Sequence, residues 1–189
     1  MTSEANAQLL DRTRVAMLLI DIQYQLLSTV FEPERVLGNA QRLLRVAGAL
    51  GLPVVLTTQN GRGLCNIHAD ILRLARDKQP FDRTSFGCFA EEGFRRHLKA
   101  QAPEATTLLL AGIESHVGVT QTALGGLSAG YIVHVAADAT SSRTFENWQI
   151  GLNRMERAGA VISSTEMTIY ELLGRAGTPE FNSLLPLLK

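Results

Sequence analysis

The chain has 189 residues, and its 18 basic and 18 acidic side chains cancel to a formal net charge of zero. Such a length fits one domain with a full core, and 46% hydrophobic with 19% charged residues excludes intrinsic disorder. A zero balance excludes a global field that recruits nucleic acid or anionic membrane; Arg95-Arg96 reads as a solvated helix face.

The opening residues, MTSEANAQLLDRTR, lack the apolar centre of a signal peptide, and residues 1–13 read as a polar leader or pre-strand segment. Val15–Ile20 is a continuous apolar run ending at Asp21, as expected of a strand buried on both faces. Pro33 suits the first turn of a helix running from about Glu34 to Leu50 and closing at Gly51. Val54–Thr58 is a β-branched second strand, Gly61 to Gly63 opens a loop, and Ile67–Arg76 reads as a short helix. The spacing predicts irregular chain over 78–88 and a helix over Phe89–Ala100. Thr106–Leu110 is the third strand, His116–Ala129 a helix and Tyr131–Ala137 the fourth strand. Phe145–Ala158 is helical and Ala160–Ile162 a short strand. Thr165–Leu173 is a helix with Thr165 as its N-cap, and Pro179–Leu188 is a last helical segment. Strands alternating with helices imply βαβ units, so residues 14–189 are expected to form a single doubly wound α/β domain. Its mostly parallel sheet of five or six strands would carry helices on both faces.

Three places carry chemistry. Asp21 directly follows six apolar residues, which sets a carboxylate at the carboxyl end of a strand, facing the ligand crevice of such folds. A partly buried carboxyl there suits acid–base work; capping of the following turn is the structural alternative. Residues 108–127, LLLAGIESHVGVTQTALGGL, read as strand, tight turn at Ala111-Gly112 and helix, which sets amides of a helix start beside a strand end. Arg83-Thr84-Ser85-Phe86-Gly87-Cys88-Phe89 adds a cation between the two.

These segments, in this order, resemble the isochorismatase-like hydrolases. Leu18-Leu19-Ile20-Asp21-Ile22-Gln23 matches the family's opening aspartate segment. Gly112-Ile113-Glu114, Thr122-Ala123-Leu124, Ala137 to Arg143, and Arg154-Met155 with Gly159-Ala160 echo its later motifs. The resemblance spans roughly residues 14–175 and implies a small-molecule hydrolase with Asp21 as acid/base. Aligning Phe86 with the family's aromatic sets Arg83 where the family carries lysine, so Arg83 would be a fixed charge or carboxylate anchor instead of a proton shuttle. Gly118 stands where the family's nucleophilic cysteine is expected, which excludes an acyl-enzyme through residue 118 and leaves its amide as a cradle for negative charge. Members resembling true isochorismatases also carry glycine there, and vinyl-ether hydrolysis needs no thiol. Gln23, Gln59, Phe86, Glu114, His116 and Val117 are the expected substrate contacts. Loss of both thiol and lysine supports the competing class, an inactive relative that binds a ligand or assembles.

Several features point elsewhere less strongly. Cys65 and Cys88 form no paired motif, suit a reducing cytosol and lack a neighbouring base that would make either a rescue nucleophile. His68 and Asp70 alone are too few for zinc, so no metal or cofactor is expected. Asp138 is expected to organise the turn at residues 140–143. Partners would be a small-molecule substrate and further copies of the chain, in a cytoplasmic dimer or tetramer, with neither nucleic acid nor membrane.

Overall fold

The computed structural model describes residues 9–61, 63, 66–76 and 78–188. Six strands form one sheet in the order β3-β2-β1-β4-β5-β6, and every neighbouring pair is parallel. The strands are β1 (Val15–Ile20), β2 (Val54–Gln59), β3 (Phe81–Arg83), β4 (Thr107–Ile113), β5 (Ile132–Ser141) and β6 (Val161–Ser163). Between and after them come α1 (Tyr24–Leu27), α2 (Pro33–Leu50), α3 (Ala69–Leu74), α4 (Phe94–Gln101), α5 (Thr120–Ser128), α6 (Phe145–Arg157), α7 (Thr165–Leu173) and α8 (Pro179–Leu184). Parallel pairing requires crossovers, and the helices that make them cover both faces of the sheet.

β1 and β4 are the centre of this architecture. All six residues of β1 and all seven of β4 are buried, which is why both read as unbroken apolar runs. Alternate residues feed two cores. Met17, Leu19, Leu56 and Leu109 face one that is closed by α2 and α7, whereas Ala16, Leu18, Ile20, Leu108 and Leu110 face one closed by Phe94, Leu98 and Met155. At the sheet's C-terminal edge Gly112 pairs with Ile20, with φ of +121°, and a β-carbon there would lie 2.0 Å from the Ile20 carbonyl oxygen. Only glycine fits so close an approach.

Several boundaries differ from the sequence reading. Residues 78–88 are not wholly irregular: Phe81–Arg83 forms the edge strand β3, too short to show a period. The helix expected from Phe89 begins at Phe94, because Cys88–Ala90 is a separate 3-10 turn and Gly93 turns the chain with φ of +87°. The helix expected from His116 begins instead as a π turn at Ser115–Val119, and α5 follows it. β4 and β5 run beyond their expected ends, to Ile113 and Ser141. Ser164, not Thr165, caps α7, its hydroxyl accepting the Met167 amide. Thr165 instead directs its amide and hydroxyl to the Asp138 carboxylate at 2.7 and 2.9 Å. Leu10, in the expected leader, is buried, and its amide donates to Glu171 Oε2.

Candidate active site

The carboxyl ends of β1, β2, β3 and β4 converge on Asp21. This residue leaves β1 with φ of +54° and is 3% exposed. Arg83 ends β3, two strands away, and is 2% exposed. Its guanidinium meets the carboxylate in a fork: Nη1 donates to Oδ1 at 2.8 Å and Nη2 to Oδ2 at 2.8 Å. Thr57, the register partner of Ile20 on β2, donates its hydroxyl to the same Oδ1 at 2.8 Å. Arg83 is held in turn by the carbonyls of Thr58 at 3.1 Å and Phe86 at 2.8 Å.

A buried ion pair is costly unless its remaining donors and acceptors are met; here both Nη groups are satisfied and the buried Arg83 Nε is left without a partner. Burial works against the guanidinium's charge, but the hydrogen bonds and charge of Asp21 more than reverse this and hold Arg83 above its ordinary value. The pair is therefore a fixed dipole. Arg83 is not free to anchor a substrate carboxylate through either Nη, because both are directed to Asp21.

Gly118 closes the third side. A β-carbon there would stand 3.4 Å from Asp21 Oδ2, 3.5 Å from Ile20 and 3.5 Å from the Phe86 carbonyl oxygen, all ordinary contacts. The three residues singled out as catalytic in the sequence thus share one location. None of the three aromatic side chains Phe86, Phe89 and Trp148 fills it. Phe86 is 58% exposed, Phe89 packs on Phe94 and Tyr131, and Trp148 packs on Phe31 and Phe145. It is the Arg83 guanidinium that occupies the space beside the carboxylate.

The expected substrate contacts divide into two groups. Gln59, His116 and Val117 are half-buried and Phe86 is exposed; of these four, Phe86 touches the pair directly, through its carbonyl on Arg83, and Gln59 Nε2 donates to the Thr84 carbonyl of the same loop. Gln23 is fully buried and straps β1 to β2, its Oε1 accepting the Gln59 amide at 2.8 Å and its Nε2 reaching the Gln59 carbonyl at 3.3 Å. Glu114 likewise serves the backbone: its Oε2 accepts from the Arg143 amide at 3.1 Å and Nε at 3.0 Å. His116 Nδ1 lies 3.0 Å from the Ser142 hydroxyl. The cradle expected at the turn is narrower than its sequence implied, because the Val117 and Val119 amides both donate to the Glu114 carbonyl.

Sequence reasoning passed over Thr57 and Glu91. Thr57 ends the apolar run of β2 beside Asp21, and that position was its signal. Glu91 has no sequence signature: its carboxylate accepts from the Ser85 amide and hydroxyl and from the Thr84 amide, which fixes the loop that presents the Phe86 carbonyl. Those bonds, the Ser85 amide foremost, hold Glu91 below the usual carboxylate range. Cys88 is fully buried with its amide on the Thr122 hydroxyl, and burial pushes its thiol up against the pull of Arg83. That is the environment of an inert thiol. Cys65 lies outside the described residues. His68 caps α3, its Nδ1 accepting the Asp70 amide, and its ring packs on Tyr24. Asp138, expected to organise the turn at residues 140–143, directs its carboxylate to Thr165 instead, while its carbonyl accepts from Arg35 and Asn39.

The chain is similar to several known proteins over most of its length. It is 38% identical over 176 residues to a secreted isochorismatase effector of Phytophthora sojae, covering 92% of this chain and 83% of that one. It is 32% identical over 177 residues to isochorismatase family protein 1B of Dictyostelium discoideum, covering 92% and 85%. Among solved structures, the MAR1 ribonuclease of Caenorhabditis elegans superposes with a TM-score of 0.88 at 29% identity, over 96% of this chain and 92% of that one. The Escherichia coli YcaC gene product, described as an octameric hydrolase of unknown specificity, gives 0.86 at 26% identity, over 94% and 89%. The isochorismatase domain matches residues 15–167, which contain Asp21, Arg83 and Gly118. The chain belongs to the isochorismatase domain family, a membership that supports a hydrolase.

Proposed function

We propose that this protein hydrolyses a small vinyl-ether or amide-type substrate without a cysteine nucleophile, using Asp21 as acid/base. The observation that carries the reading is the forked Arg83–Asp21 pair set against Gly118. On an amide, Asp21 takes a proton from water as that water attacks the carbonyl carbon, then returns it to the leaving nitrogen as the C–N bond breaks. On a vinyl ether, the protonated acid delivers its proton to the enol carbon, water adds to the oxocarbenium carbon and gives a proton back to the Asp21 carboxylate, and the resulting hemiketal breaks its C–O bond to release an alcohol and a ketone. Arg83 keeps its charge throughout and balances negative charge on the carboxylate, while Thr57 fixes which oxygen faces Gly118. Gln59, Phe86, His116 and Val117 would contact the substrate, with Gln23 and Glu114 holding the backbone that presents them.

An alternative reading, an inactive member that binds a ligand or assembles, is favoured by one observation: the Arg83 and Asp21 side chains are only 0% and 4% exposed. One experiment separates the two. Isochorismate, small amides and ureides are offered to wild type, Asp21→Asn and Gly118→Cys. Hydrolysis by wild type that falls ~10²–10⁴-fold in Asp21→Asn supports the proposal, that being the usual contribution of a positioned acid or base. Unchanged turnover in Asp21→Asn removes the acid/base role, and an inert wild type favours the alternative.

The proposal includes a cytoplasmic homo-oligomer of two or four copies. Support for assembly comes from the octameric E. coli relative, and light scattering measures the size. Among the described residues no helix is long and apolar enough to cross a membrane.

A further inference from the structure

His134 lies in the middle of β5, between Leu109 of β4 and Val161 of β6, and is 1% exposed. Neither of its ring nitrogens has a hydrogen-bond partner. Imidazole always carries at least one N–H donor, and the neutral ring adds an acceptor, so both needs go unmet in an apolar layer. The face of the sheet it shares with Leu109 and Ala136 is covered by Ile169, Leu172 and Leu173 of α7. On the same helix the buried Thr168 hydroxyl is also without a partner.

The charges around this layer are unevenly placed. Leu109 and Val161 bring none from β4 and β6. Arg42 and Arg45 of α2 are exposed, as are Asp11, Arg12 and Arg14 of the N-terminal segment. Asp138, further along β5, is taken up by Thr165. The group whose charge reaches His134 is Glu171 of α7, one helical turn from Thr168. Glu171 has a second duty: its Oε2 accepts the Leu10 amide at 3.0 Å, pinning the N-terminal segment to α7.

We propose that His134, Thr168 and Glu171 form an acid-responsive clasp, in which a proton taken from solvent by His134 draws the Glu171 carboxylate away from the Leu10 amide and loosens α7 and the N-terminal segment from the sheet. A buried imidazolium cannot remain unpaired in this layer, and Glu171, on the helix that covers this face, is the carboxylate whose charge favours the protonated ring. Movement of that carboxylate inward removes the acceptor from Leu10. Above neutrality the ring is uncharged, which burial favours, and the clasp stays shut.

Native-state hydrogen exchange on the full chain, corrected for intrinsic rates and compared at pH 7.5 and 5.5, tests this. In wild type, protection over residues 9–14 and 165–173 is expected to fall at least tenfold at the lower pH, with β1 and β4 unchanged. His134→Leu should abolish that difference. Glu171→Gln, which keeps an oxygen acceptor for Leu10 and loses the charge, should reduce it several-fold, and it decides the matter should His134→Leu not fold. Equal pH dependence in wild type and either variant overturns the clasp, as does a loss of protection spread evenly over the sheet.

Discussion

Asp21 and His134 are both ionisable and both nearly inaccessible, yet they are treated in opposite ways. Asp21 sits just past a strand end, where the ladder stops, the Thr57 hydroxyl and the Arg83 guanidinium donate to it, and neighbouring carbonyls in turn hold Arg83. His134 sits mid-strand, where backbone groups are taken up by pairing and the neighbouring side chains are apolar. In a parallel sheet, a charge can be kept at the carboxyl edge because the polar partners are there; in the centre burial favours the neutral form, and a charge forced on the group by acid must draw a partner from outside the layer.

Four measurements sharpen or break this contrast. The largest effect is expected of Arg83→Met, which leaves the Asp21 carboxylate buried beside an apolar side chain; denaturant unfolding should lose about 3–5 kcal/mol. A loss below ~1 kcal/mol would mean that Asp21 finds water once Arg83 is gone. Next is the pH dependence of stability. Burial lowers the His134 value, so the unfolded chain accepts a proton near pH 6.5 that the folded chain refuses. Stability is then full above that pH and falls below it by up to about 1.4 kcal/mol per pH unit until the folded value is passed. His134→Leu should flatten this acid slope in thermal melts; an unaltered slope would assign it to other groups. Thr57→Val removes one hydrogen bond to the charged Asp21 carboxylate while Arg83 keeps its fork, and about 1.5 kcal/mol of destabilisation is expected. The smallest change belongs to Gly118→Ala, whose methyl meets only ordinary contacts; melts should stay within about 0.5 kcal/mol of wild type.

The parts of the fold that were legible in sequence are those where one local signal suffices. Val15–Ile20 ended at the expected residue because a buried strand and the polar edge beyond it differ sharply in composition. β3 escaped because three residues carry no period and its pairing depends on β2 alone. The ends of β4 and β5 were read short since Ala111-Gly112 and Asp138 to Ser141 look like turns, while the extra pairing reflects contacts across the sheet, from Gly112 to Thr140 and Ile113 to Ser141. The candidate site followed the same rule. Asp21, Arg83 and Gly118 were found one at a time through motif order, but the forked contact across 62 positions was not, nor was the commitment of Gln23 and Glu114 to backbone. Pairings of that kind depend on which strands become neighbours, and no local pattern records it.

Gly112 near the end of β4 and Gly118 in the π turn that follows, six positions apart, differ in how much substitution the backbone tolerates. At Gly112 any side chain collides with Ile20, so inheritance there is rigid. At Gly118 a β-carbon is accommodated next to Asp21 Oδ2 without displacing backbone, so a lineage can exchange glycine for a small reactive side chain, or the reverse, while the scaffold stays intact. The position beside the carboxylate can therefore take a small side chain without any rebuilding of the sheet.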